Sequence, residues 1–451
     1  MQQTQIRDFT QGNITRQLVG FAWPLFLSNL LQVVYNMVDM VIVGRVLGKT
    51  GTSAVAVGGD ISVLLTFFAI GFSTAGQVLI ARYIGARQAD KLGRFVGTMT
   101  GFLLSCALVI SGIALCFQDG ILTLMNTPEA AYAGASEYAR ICMFGLVFIY
   151  GYNIVSAILR GMGDSKHPFI FISIAAVLNV VLDIVFVIVL DMGPGGAALA
   201  TVISQGISFL SCGAFLIRKR QQFSLELKPR QFLCWDKQML GSLLKLGTPM
   251  AIKNASVQIS KLFVNAWINS YGVEISAFAG IANKISSIAN LVSNAMNTAG
   301  STMTGQNIAA GQYKRVKQIL VRLAVITLSL AAIFSLTIVL FPGAVFGIFT
   351  TDQQVLQVAG GYIPIAVLLF VASALRSVMN ALMNGSGQYR INFATAILDG
   401  LVLRIGLALL FGLALDMQHY GFWLGDALAS FTPFWIGLCF YLSGKWKNKT
   451  V

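Results

Sequence analysis

Asn179 and Asp183 stand four residues apart in the apolar run Leu178-Asn179-Val180-Val181-Leu182-Asp183, a spacing that puts an amide and a carboxylate on one face of a helix. A second carboxylate, Asp39, follows Pro24 by fifteen residues inside another apolar stretch. Thr201 adds a hydroxyl in Gly-Ala-Ala-Leu-Ala-Thr-Val-Ile-Ser. A carboxylate buried among such side chains costs ~3 kcal/mol on membrane-insertion scales, so each one calls for a partner. Two occupants fit a cluster of these oxygens. A proton fits because two neighbouring carboxylates in a poorly hydrated site resist double ionisation. A sodium ion fits because carboxylate, amide and hydroxyl oxygens are hard ligands of the kind small cations choose. The alternative is structural: Asp39 and Asp183 bond to neighbouring helices.

The second half of the chain carries a different set. Lys253, Lys261, Lys284, Arg376 and Arg404 lie in or beside apolar runs, with Asp399 and Asp426 as the acids. This set suggests an electropositive wall suited to anionic or zwitterionic amphiphiles. The competing reading is that the cations snorkel, or that Asp399 and Arg404 pair internally. A candidate substrate cavity accordingly takes in Tyr35, Asn36, Gln258, Lys261, Lys284, Arg376, Asp399 and Arg404. Aromatic and methionine side chains such as Met37, Phe67, Phe68 and Met296 suit an adaptable apolar lining, although most such residues simply pack.

The elements that position these residues must be membrane-spanning helices. Of the 451 residues 56% are hydrophobic and 11% charged, against about 25% charged in an ordinary soluble domain. Nine stretches are long and apolar enough to cross about 30 Å of hydrocarbon: residues 17–38, 61–81, 95–118, 141–159, 192–217, 285–313, 323–351, 353–375 and 427–444. Three more, 168–190, 241–270 and 391–415, contain the ionisable residues just named. The chain is therefore expected to be an all-α integral membrane protein of twelve spans. The N-terminal Met-Gln-Gln-Thr-Gln-Ile-Arg stretch lacks the order of a cleaved signal, so the first span is expected to serve as its own insertion signal. Six scattered cysteines form no CxxC pair and read as reduced apolar fillers.

The connecting segments alternate in charge. One set holds 22 of the 31 Lys and Arg residues, among them Arg82, Arg87, Lys91, Arg94, the run Arg218-Lys219-Arg220, and Lys445, Lys447 and Lys449. The other is poor in cations and holds Asp119, Glu129, Asp191, Glu274, Asp352 and Asp416. The positive-inside rule then places both termini in the cytoplasm. It also explains the net charge of +14 as topology, with no nucleic acid required. Loop punctuation repeats at an offset of about 224 residues. Pro24 corresponds to Pro249, Ala86-Arg87-Gln88 to Ala310-Gly311-Gln312, and Gly161-Met162-Gly163 to Gly385-Ser386-Gly387. Six spans per half make the repeats parallel. The expected lobes are residues 1–217 and 239–451, joined by a basic linker at 218–238, around a central cavity.

These features together resemble the multidrug and toxic compound extrusion (MATE) family over essentially the whole chain. The resemblance rests on twelve spans in two halves, Pro24 followed by Asp39, Leu-Arg-Gly-Met-Gly-Asp after span 4 and Gln-Asn-Ile-Ala-Ala-Gly after span 8. It implies an exporter of amphiphilic drug-like or toxic small molecules, exchanging them for H⁺ or Na⁺ by alternating access. It implies a coupling site at Asp39, Asn179, Asp183 and Thr201, a hinge at Pro24, no cofactor besides the ion, and a monomer in a bacterial cytoplasmic membrane. The acids that many relatives carry in spans 7, 8 and 10 are absent here, which argues against a second cation site. The alternative is a flippase of lipids or lipid-linked saccharides from the same wider superfamily. An enzyme is not expected: the two histidines, His167 and His419, sit at loop ends, and no HExxH, Walker A or Ser-His pattern appears.

Overall fold

The computed structural model describes residues 6–223, 225–228 and 230–447, and no strand forms among them. Lys449 of the basic C-terminal set and the first five residues lie outside the described part. The first helical stretch, Ile14–Gly85, is 72 residues long, which at 1.5 Å per residue is about 108 Å, several times a hydrocarbon core. It breaks at Gly48 (φ 65°, ψ −156°), a conformation open to a residue without Cβ. We therefore name α1 (14–47) and α2 (49–85). Next come α3 (Ala89–Cys116), α4 (Glu129–Phe144 and Leu146–Gly161, bent by 48°), α5 (Lys166–Asp183 with the π-helical Ile184–Val189) and α6 (Gly193–Arg218). The second half supplies α7 (Lys237–Asn269), α8 (Val273–Ala309), α9 (Tyr313–Leu340), α10 (Gln353–Gly385), α11 (Tyr389–Ile397, continuing to residue 414) and α12 (Gln418–Ala429 and Thr432–Leu442). The protein is thus an all-helical membrane protein of twelve spans.

Several bounds differ from the apolar runs. α8 begins at Val273, twelve residues before the apolar stretch, and α12 begins at Gln418. The polar starts of both helices are carried by backbone hydrogen bonds, which hydropathy does not register.

The internal repeat is visible in backbone detail. Gln88 N–H donates to the Tyr83 carbonyl at 2.9 Å and Gln312 N–H to the Asn307 carbonyl at 2.8 Å. Arg87 (φ 57°) occupies the left-handed position that Gly311 (φ 75°) fills in the second half. After α5, Leu190 N–H donates to the Val185 carbonyl and Met192 N–H to the Phe186 carbonyl. After α11, Leu415 pairs with Leu410 and Met417 with Phe411 in the same way, all at 2.9–3.1 Å. A Cβ on Gly161 would meet the Gln77 carbonyl at 2.8 Å, and one on Gly385 would meet the Ser301 carbonyl at 2.8 Å. Both halves therefore use the same close helix approach, closed to any larger residue.

By contacts the chain forms two compact units. One holds residues 6–8 and Trp23–Gly247; the other holds Phe9–Ala22 and the chain from Thr248 onward. These bounds differ from the even division at 217 and 239. The change of unit falls one residue before Pro24 in α1 and one residue before Pro249 in α7. In the first unit the linker does not hang free. Gly93, Gly97 and Gly101, one turn apart on α3, leave a groove in which the backbone of Glu226, Gln231 and Phe232 lies within 2.0–3.1 Å of where their Cβ atoms would be. Arg94 pairs with Asp236 at 3.4 Å, and Asp236 N–H donates to Thr98 Oγ1 at 3.2 Å. In the second unit the N-terminal segment is fastened to α8 and α9. Phe9 N–H donates to Gln306 Oε1 (2.9 Å), and the Phe9 carbonyl accepts from Asn307 Nδ2 (3.1 Å) and Arg315 Nε (2.9 Å).

Candidate functional site

The first unit brings together the oxygens that the sequence singles out. Asp183 is the last α-helical residue of α5 before its π-helical turn and is fully buried; Asn179, one turn earlier, is 3% exposed. Asn179 Nδ2 donates to Thr201 Oγ1 on α6 at 3.5 Å, and Asp183 senses the charge of Asp39 on α1. Tyr138 of α4 completes the group. Its hydroxyl lies near Thr201, and it is within electrostatic reach of both carboxylates. Its ring is held by Val43, Val55, Val187 and Ala198 and lies over Gly58, where a Cβ would come within 2.5 Å of it. Tyr35, one turn before Asp39, lies near Gln205, one turn after Thr201. Asn36 is exposed.

Four acceptor atoms of this cluster are buried without a donor: Asp39 Oδ1, Asn179 Oδ1 and both oxygens of Asp183. A buried acceptor left unpaired costs about 1–3 kcal/mol, and more when charged. The set is chemically incomplete as it stands, and what it lacks is positive: a proton or a cation. Among the described residues no cluster of three or more His, Cys, Asp or Glu side chains is arranged for a metal. Two carboxylates with amide and hydroxyl oxygens could hold either a shared proton or a small hard cation. The residues that sequence reasoning missed are Tyr138 and Gln205. Gln205 carries a signal, its i,i+4 spacing from Thr201; Tyr138 carries none, since only packing brings it there.

The second unit has an open cleft walled by α7, α8, α10 and α12. Lys261 and Arg376 line it, together with Asn265, Asn290, Trp423 and Asp426. Gln258 and Lys284 are exposed but outside it. Asp399 and Arg404 do not line it either, which corrects the expected cavity. Arg404 is fully buried; its Nη2 donates to Asp399 Oδ1 at 2.8 Å and its Nη1 to Asp426 Oδ1. Five residues apart, Asp399 and Arg404 would point about 140° away from each other on an α-helix. The π-helical turn Leu398–Leu403 closes that angle. The Gly400 carbonyl, inside this turn, accepts from Ser260 Oγ on α7.

Comparison with known proteins follows the same outline. The MatE family model matches residues 24–185 and again residues 249–410, one match in each half. A relative from Bacillus subtilis (strain 168), "Probable multidrug resistance protein YpnP", is 30% identical over 442 residues, covering 98% of this chain and 97% of the relative. "Probable multidrug resistance protein YoeA" from the same organism is 28% identical over 447 residues, covering 98% and 96%. A solved structure described as MATE in the bent conformation is similar with a TM-score of 0.91 at 22% identity, over 99% of this chain and 100% of that one. That last likeness bears on the fold alone.

Proposed function

The chain belongs to the MatE family of membrane transporters and is not an enzyme, and from that premise we propose that it is a secondary active exporter of drug-like amphiphilic small molecules. The exchanged ion is H⁺ or Na⁺, and its site is Asp39, Asp183, Asn179 and Thr201, with Tyr138 in support. The observation that carries this reading is the set of four buried acceptors without donors. The names of the relatives, which speak of multidrug resistance for those proteins, support the substrate class. The twelve spans favour an exporter over a flippase, whose relatives often have fourteen.

A cation binding between Asp39 and Asp183 removes charge from a poorly hydrated site. The ion-bound and ion-free states therefore favour different positions of α1, and the gradient biases their equilibrium. Pro24 supplies the weak point in α1, since it has no amide to donate and the Pro24 carbonyl is shared with Ser28 Oγ at 2.8 Å. Substrate leaves as the cleft opens alternately to the two sides. The basic loops support a reading with both termini on the cytoplasmic side of a bacterial plasma membrane and a single chain carrying out the cycle.

The test is efflux from proteoliposomes under an imposed pH or sodium gradient. Wild type is expected to respond to one of the two gradients, and Asp39→Asn and Asp183→Asn to neither. Full gradient-driven efflux in Asp39→Asn would show that the coupling site lies elsewhere.

A further inference from the structure

The charges around the second unit's cleft do not balance. Asp399 and Asp426 are its acids, and Arg404 engages both. Lys261 and Arg376, on the wall, enter no ion pair among the described residues. Lys253 donates only to a neutral amide, Asn380 Oδ1, at 2.7 Å. Four cations (Lys253, Lys261, Arg376, Arg404) against two acids leave a formal +2 in a largely enclosed region.

We propose that this cleft is a docking site for an anionic group (carboxylate, sulfonate or phosphate) carried on an aromatic or otherwise apolar body. The proposal rests on the transporter reading and specifies which molecules the transporter accepts. Arg376 is held for the task. Its Nη2 donates to Asn290 Oδ1 at 2.8 Å, the same oxygen accepts from Ser373 Oγ at 3.0 Å, and Ser373 Oγ lies 2.8 Å from Ser293 Oγ, whose hydroxyl can donate to it. The remaining guanidinium donors match the fork of a carboxylate or phosphate. Lys261 adds a mobile point charge on the same wall. Trp423 and Phe370 supply the apolar face. An organic cation entering here meets two uncompensated positive groups, so the site discriminates by charge sign.

Fluorescein and rhodamine 123 share a xanthene body and differ in charge, so their anisotropy on the purified full chain in nanodiscs reads that discrimination directly. Fluorescein is expected to bind at least tenfold more tightly than rhodamine 123, and more weakly as salt rises. Lys261→Met and Arg376→Gln are each expected to weaken fluorescein binding about tenfold or more, as loss of a charged hydrogen bond does. Lys261→Arg is expected to retain binding, and Lys317→Gln, exposed on α9, to match wild type. Discs of phosphatidylcholine and of phosphatidylglycerol distinguish the source of the anion. Displacement of fluorescein by phosphatidylglycerol assigns the site to a lipid headgroup, and equal binding in both assigns it to a soluble anion. Equal affinity for the two dyes, or fluorescein affinity within twofold of wild type in folded Lys261→Met, overturns the proposal. Dye binding is read without a gradient, so it fails independently of the coupling role tested by efflux of Asp39→Asn.

Discussion

Replacing Arg404 by leucine is expected to unfold the second unit rather than to change what the transporter recognises. Arg404 is fully buried, Asp399 is 1% exposed, and the Asp426 side chain is 18% exposed. Leucine leaves both carboxylates without their cation. One charge pair about 4 Å apart at an effective dielectric of 20 is worth about 4 kcal/mol, in line with the 3–5 kcal/mol typically lost when a buried pair is broken from one side. Taking about 4 kcal/mol, the midpoint of thermal unfolding should fall on the order of 10 °C for a unit of about 200 residues. Tryptophan fluorescence follows unfolding of this unit, because Trp423 is buried in its core. That assay, on detergent-purified wild type and variant, reads the shift. The triple variant Arg404→Leu with Asp399→Asn and Asp426→Asn should recover much of the loss, since no uncompensated charge remains. A shift below 2 °C for Arg404→Leu, or no recovery in the triple variant, would refute the reasoning and return Arg404 to the candidate substrate contacts.

Tyr138→Phe removes the hydroxyl beside Thr201 and the two carboxylates while keeping the ring over Gly58. It should leave expression and melting unchanged and raise the cation concentration for half-maximal efflux about fivefold, the worth of one net hydrogen bond; unchanged ion dependence would remove Tyr138 from the site. Gly97→Leu places a side chain where Gln231 Cβ lies 2.6 Å from the ideal Cβ position. It should dislodge the linker and speed tryptic cleavage at Arg230 and Lys237, read by gel; wild-type cleavage rates would show that the groove does not hold it. Arg315→Ala removes donors to the Phe9 and Gln11 carbonyls and to Gln17 Oε1. Trypsin should then cut at Arg16 several-fold faster, with cleavage elsewhere unchanged.

Membrane residence, span number and internal duplication are written along the chain, because a helix in lipid satisfies its backbone within itself and needs only a local run of apolar residues. The repeat was legible for the same reason: loop punctuation such as Ala86-Arg87-Gln88 and Ala310-Gly311-Gln312 reports local backbone geometry. Local spacing also set Asn179 and Asp183 on one face. It could not set the partners. Tyr138 reaches Thr201 across 63 positions in the sequence, and Arg404 meets Asp426 across 22, by helix packing alone.

What the sequence by itself determined, then, is the class of molecule and the inventory of its charges: two carboxylates among apolar residues in the first half, and five cations with two acids in the second. Only the tertiary structure decided which of those charges are spent. It closed Arg404 onto Asp399 through a π-helical turn and onto Asp426 from α12, and left Lys261 and Arg376 facing the cleft. It also left Asp39 Oδ1 and both oxygens of Asp183 without donors. Electrostatic energy depends on distance in space and on burial, and neither follows from separation along the chain.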